Sequence, residues 1–148
     1  MDLATALAAY RLVALDTSPF IYLFEKHAVF YPIVAPIFAR LDGDADFRAV
    51  TSTITLVEVC TLPLKQNKPQ LVQTYSNALL NSPRVSTLPV DAAIAQRAAE
   101  LRAKHNLRTP DAIQIATALV ARAGVFITND VSLKRVTEIP ILILSDFA

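Results

Sequence analysis

Apolar positions along the chain follow two rhythms. Short, nearly continuous apolar runs bounded by turn residues suit buried strands. Longer stretches with apolar residues three and four apart suit helices packed against them. Residues 11–16 (R-L-V-A-L-D) are the first such run and predict a buried strand ending in a polar corner. Ser18 and Pro19 then supply an N-cap and a first helical position for a helix over 20–24. A second apolar helix is expected over 29–41, followed by a turn over 42–46 (D-G-D-A-D). Residues 47–53 are rich in β-branched side chains and read as a second strand. A helix follows over 55–64 with Pro63 near its end, then an amphipathic helix over 69–80. Residues 84–90 read as a third strand, and Asp91 caps an alanine-rich helix reaching residue 106. Thr109 and Pro110 open a helix to residue 123, which Gly124 ends. Residues 125–128 form a fourth strand, 131–136 a helical turn, and 141–144 (I-L-I-L) a fifth strand. No linker, repeat or low-complexity block interrupts this alternation. It predicts an α/β fold: an α/β/α sandwich with a mainly parallel central sheet of about five strands, in one domain over 1–148. In such folds the site lies beyond the carboxyl ends of the strands.

Composition narrows the class. The chain has 148 residues, 53% of them hydrophobic, and a mean hydropathy of +0.41. That excludes disorder and leaves apolar surface to spare for a subunit or partner interface. A chain of this length buries roughly 68–70% of its unfolded surface. No uncharged stretch approaches the roughly 18–20 apolar residues of a membrane span. Asp2 stands where a signal peptide carries basic residues, and the lone Cys60 builds no disulfide framework. A reducing, cytoplasmic setting follows as the expectation. The net charge of +1 argues neither for nor against a nucleic-acid partner.

Scarce residues exclude several chemistries. Gly43 and Gly124 are the only glycines, so a P-loop, a dinucleotide fingerprint and a Gly-flanked serine elbow are all out. One cysteine builds no zinc finger, and His27 and His105 are too far apart for a helical two-histidine metal site. Carboxylates are the best-supplied chemical groups left. Of thirteen acids, most sit near termini, on solvated faces or at caps. Asp42, Asp44 and Asp46 fit the first ligand positions of an EF-hand loop, but Phe47 stands where its glycine belongs and Thr53 where its glutamate belongs, so this is a solvated turn.

Four acids remain, each at a junction in an apolar context. Asp16 and Asp130 end the first and fourth strands, which places both on one rim of a parallel sheet. Glu58 and Asp111 lie in the first turns of helices that start at or lean on that rim. Each has a bland reading: Glu58 completes a capping box with Thr55, Asp111 complements a helix dipole, and Asp130 caps the turn after it. Asp16 has the weakest such reading, since Ser18 already offers a cap. Together the four converge. Two carboxylates about 4 Å apart repel by roughly 4 kcal/mol at an effective dielectric of about 20, so such a cluster needs protons or cations. Oxygen-only ligands favour Mg²⁺ or Mn²⁺, and carboxylate-held divalent ions suit phosphodiester hydrolysis.

At these residues a family resemblance enters. L-D-T-S-P-F-I-Y at residues 15–22 resembles the opening of PIN-domain nucleases, as does the single acid in T-I-T-L-V-E-V at 53–59. L-R-T-P-D-A-I-Q-I-A-T-A-L at 107–119 is similar to that family's third motif and F-I-T-N-D at 126–130 to its fourth. Order and spacing agree from about Val13 to Leu144. The resemblance implies a PIN-like fold and a Mg²⁺- or Mn²⁺-dependent endoribonuclease. It implies Asp16, Glu58, Asp111 and Asp130 as catalytic metal ligands and Thr128 as a water- or ligand-positioning hydroxyl. The size also resembles VapC-type toxins, which implies a homodimer held inactive by a small antitoxin, with RNA as substrate.

Lys104, Arg108, Lys134 and Arg135 flank the third and fourth motifs, and at least two of them are expected to line the groove and meet phosphates. Cys60, Phe20 and Tyr22 are expected in the core, and His27 and His105 as satisfied surface residues. Three alternatives stand beside the toxin: a non-toxin RNA-processing nuclease of the same family, a catalytically silent RNA- or protein-binding module, and an aspartyl phosphatase. Ser18 argues against the last, whose D-x-D-x-T motif has an aspartate there.

Overall fold

The computed structural model describes residues 1–148. Five strands form one sheet: β1 (Leu12–Leu15), β2 (Arg48–Ser52), β3 (Val85–Leu88), β4 (Val125–Thr128) and β5 (Ile141–Ile143). Every pairing is parallel, in the order β3-β2-β1-β4-β5. The chain builds outward from β1 to one edge, then returns to the other side of β1. The order therefore reverses between β1 and β4, which is where open α/β sheets leave a crevice at the strands' carboxyl ends.

Seven helices cover the sheet: α1 (Leu3–Leu7), α2 (Thr17–Phe24), α3 (Tyr31–Gly43), α4 (Thr53–Lys65), α5 (Pro69–Leu80), α6 (Ala92–His105) and α7 (Thr109–Val120). Two 3₁₀ turns follow β4 and β5 at Val131–Arg135 and Leu144–Phe147. Alternation along each strand divides the core. Val13, Leu15, Val125 and Ile127 face the layer of α1 to α5, and Ala14 and Phe126 face the layer of α6 and α7. Strands buried on both faces are the reason these segments read as continuous apolar runs. No helix is long and apolar enough to cross a membrane.

The elements expected from the pattern are present, with informative shifts. The helix after β1 begins at Thr17, and its N-cap is Asp16, whose carboxylate accepts from the Thr17 N–H. Ser18 caps nothing; its hydroxyl is buried without a partner. Likewise α4 begins at Thr53 under a Ser52 cap. Thr55 therefore lies inside the helix, and no capping box with Glu58 forms. Both strands pass into helices with no loop between. Gly124 does not supply the left-handed residue after α7; Arg122 does, at φ 61°. Glycine at 124 is required by space instead, since a Cβ there would come within 2.7 Å of Tyr10 Cδ1. Asp91 caps α6 as expected, and Asp44 accepts from the Asp46 N–H in the solvated turn. The pattern did not reveal α1, a five-residue helix capped by Asp2.

Candidate active site

The parallel register sets Leu15 beside Ile127, and the Asp16 N–H continues the ladder to the Ile127 carbonyl. The next residue of each strand's path is thus Asp16 on one side and Thr128 on the other. Thr128 donates its hydroxyl to Asp16 Oδ2 at 2.7 Å and accepts the Asp130 N–H at 3.1 Å. Its side chain is fully buried, and its one proton is spent on Asp16. Thr128 is therefore placed to orient a carboxylate.

Glu58 arrives from the α4 side of the sheet and Asp111 from α7 on the other. Glu58 Oε1 accepts from the Thr17 hydroxyl at 2.8 Å. Asp111 lies in the first turn of α7, as its dipole reading requires, and accepts from Arg108 Nε at 3.1 Å. Asp130 Oδ1 caps the following turn, accepting from the backbone and hydroxyl of Ser132. The four acids share one open cleft of about 490 Å³, together with Thr17, Ser18, Tyr22, Arg108, Thr128 and Asn129. A separate apolar cavity of about 280 Å³ lies beside Phe20, Phe24 and Phe38 and gathers no comparable cluster.

Behind the cleft is a polar network that sequence reading missed. Gln114 Nε2 donates to Thr55 at 2.8 Å and to Thr17 at 3.4 Å. Thr51 donates to the Leu15 carbonyl and contacts Thr55 at 2.7 Å. Thr51, Thr55 and Gln114 are buried, and they join β2, α4 and α7 at the rim. Satisfied buried networks of this kind hold one arrangement. The available signal was a run of polar residues inside apolar segments, T-S-T-I-T at 51–55 and the glutamine of A-I-Q-I-A.

Burial in the cleft floor pushes Asp16 up to about 6, against the pull of the Thr128 hydroxyl and the Thr17 N–H; the Asp111 and Glu58 carboxylates add to the rise. The hydrogen bond to Asp111 raises the already high pKa of Arg108. The site is thus short of positive charge. No three His, Cys, Asp or Glu side chains stand together as a ready-made cage. The donors fit a hard divalent ion held from opposite walls of an open cleft, because Mg²⁺ binds through one or two carboxylates and keeps several waters.

At least two of the four flanking cations were expected in the groove, but Arg108 alone lines the cleft. Arg135 is spent on the carbonyls of His105, Ser132 and Asn106. Lys104 pairs with Glu138 and Lys134 with Asp146. These three serve the surface where the turn after β4 meets α6 and the C-terminus. His105 bonds Glu138 at 2.7 Å, and His27 Nδ1 accepts from the Val29 and Phe30 N–H groups. Cys60 and Phe20 are buried in the core. Tyr22 is half-buried, lines the cleft and accepts a hydrogen bond from Asn129.

Solved structures share this architecture. A chain of the VapBC2 complex from Rickettsia felis, bound to a DNA fragment from its promoter, matches with TM-score 0.68 at 20% identity, over 88% of this chain and 97% of that one. VapBC-1 from nontypeable Haemophilus influenzae matches with TM-score 0.65 at 24% identity, over 90% and 98%. VapC20 of Mycobacterium tuberculosis, a sarcin–ricin loop cleaving toxin, matches with TM-score 0.60 at 19% identity, over 77% and 86%. No curated protein matches in sequence. The PIN domain model matches residues 13–139, and the chain belongs to the PIN domain family.

Proposed function

We propose that the chain, as one PIN-like domain over 1–148, is a metal-dependent endoribonuclease that hydrolyses RNA phosphodiester bonds, and that it is the toxin of a type II toxin–antitoxin pair. The observation that carries this is the convergence of Asp16, Glu58, Asp111 and Asp130 from both layers on one open cleft at the sheet's switch point. These four residues would hold Mg²⁺ or Mn²⁺. When bound, such an ion supplies an acidified water and neutralises charge on the reacting phosphate. The chain's own residues fix the ligands: Thr128 holds Asp16, Thr17 holds Glu58, and Gln114 holds Thr17 and Thr55.

The likeness to VapC20 supports RNA as substrate, and the likeness to VapBC complexes supports a small antitoxin as partner. Exposed Val57, Leu62 and Leu64 on α4, with Leu71 and Leu80 on α5, fit a surface covered in a homodimer or by that antitoxin. The setting would be cytoplasmic. A non-toxin RNA-processing nuclease would use the same site.

A silent binding module has one observation in its favour: Asp16 and Asp130 both serve as caps. Cleavage of a mixed structured-RNA pool separates the readings. The nuclease needs Mg²⁺ or Mn²⁺, fails with chelator, and fails as Asp16→Asn purified in parallel. Equal, metal-independent behaviour of the two proteins would leave the binding module.

A further inference from the structure

Arg108, like the surface arginines Arg11 and Arg97, pairs only with a carboxylate; its place in the acidic cleft sets it apart. Arg40, Arg84 and Arg135 spend Nη groups on backbone carbonyls, and Arg102 spends Nε on one. Arg108 makes one side-chain bond, from Nε to Asp111 Oδ2 at 3.1 Å. Its side chain is 78% exposed, whereas that of Asp111 is 14% exposed. It is also the only basic residue lining the acidic cleft.

From this geometry we propose that Arg108 is the cleft's resident counter-ion: it neutralises Asp111 until a divalent ion takes that carboxylate, and is then released to a phosphate of the RNA. The inference rests on the nuclease reading above. An ion pair with so exposed a cation is weak, so a divalent ion displaces it readily. A guanidinium and a metal ion compete for the same carboxylate. The released guanidinium carries a planar fork of donors that matches phosphate oxygens. The positive charge thus stays at the cleft in both states, on Asp111 first and on the substrate afterwards.

Calorimetric titration with Mn²⁺ tests the first half. Arg108→Gln should bind Mn²⁺ roughly three- to tenfold tighter than wild type, and Arg108→Lys close to wild type, because only the charge competes. Binding of a phosphorothioate oligoribonucleotide tests the second. In Mn²⁺, Arg108→Gln should bind it roughly three- to tenfold more weakly, with the salt slope reduced by about 1. In chelator the loss should be smaller, since Asp111 then competes with the phosphate for the arginine. Unchanged or weaker Mn²⁺ binding by Arg108→Gln overturns the counter-ion role, and an equal loss of RNA binding with and without metal overturns the hand-over. Absence of Mn²⁺ binding by wild type overturns the metal reading of the cleft as well, whereas normal wild-type binding with an unchanged variant overturns this inference alone.

Discussion

Asp16 has two duties that a single substitution separates. Its carboxylate caps α2 and accepts from Thr128, and asparagine keeps most of the capping geometry while losing the charge. Asp16→Asn is expected to lose RNA cleavage by at least about 100-fold, the scale of a missing charged group in a catalytic site. Its melting temperature at pH 7.5 in chelator should equal or exceed that of wild type, because ionising Asp16 in the cleft costs stability. Calorimetry beside the cleavage assay checks both. Thr128 is the complementary case. Thr128→Val keeps the shape but strips a donor from Asp16 and an acceptor from the Asp130 N–H, at a cost of about 1–3 kcal/mol for groups left unpaired. Without the Thr128 proton Asp16 rises further, so the acid limb of the pH–rate profile should move to higher pH. Thr128→Ser should restore it. A profile unmoved by valine would show that Thr128 does not act through Asp16.

At the scale of elements, α4 and α7 approach the rim from opposite layers, and the buried Gln114 amide joins them through Thr55. Gln114→Leu takes the acceptor from the buried Ser52 N–H and a donor from Thr55, and is expected to cost about 1–3 kcal/mol in urea unfolding. It should also lower cleavage, since Thr17 would hold Glu58 less firmly. Glu58→Gln should lower cleavage alone, with the unfolding midpoint unchanged. The pass from α7 to β4 offers an independent check. Gly124→Ala forces a Cβ against the Tyr10 ring, and overpacking of that kind costs about 1–3 kcal/mol. Tyr10→Leu in the same chain should recover much of the loss. The strand and helix runs were legible in the sequence because their burial is periodic. The caps at Asp16 and Ser52 were not. Serine and aspartate cap equally well, so which residue starts a helix is set by where the strand's ladder ends.

Across the molecule, two carboxylates give the stability–pH curve opposite slopes. Asp16, raised from 3.8 to about 6, binds its proton more tightly folded than unfolded. Stability in chelator therefore increases as pH falls from about 6 toward 3.8, and its penalty is full above about 6. Glu138 behaves conversely. Burial would raise it, but the hydrogen bonds from His105 and Thr137 outweigh that and bring it down from 4.5 to about 2. Its contribution is present above 4.5 and lost as pH falls toward about 2. Thermal melts from pH 2 to 8 should show a maximum where the two windows overlap, at about pH 4. Asp16→Asn should flatten the upper slope and Glu138→Gln the lower. A curve with no slope between pH 4 and 6 that Asp16→Asn leaves unchanged would contradict the buried, charge-starved cleft floor.

The order of strands and helices from the first strand onward, the parallel sheet and the placement of Asp16 and Asp130 at strand ends followed from the sequence by itself. Apolar runs and helical periods are local, and a polar residue closing an apolar run marks a rim wherever the strands pair. Glu58 and Asp111 were legible differently, as acids within otherwise apolar helical stretches. Which groups hold those acids was decided only in three dimensions. Thr128 meets Asp16 across 112 residues of chain, and Thr17 meets Glu58 across 41. Local sequence contains no record of a contact that two strand ends make by lying side by side. The flanking cations show the same limit. Lys104, Arg108, Lys134 and Arg135 look alike along the chain, and folding turned three of them to the surface contacts behind the turn and left Arg108 on the cleft, because a side chain's partners depend on which elements end beside it.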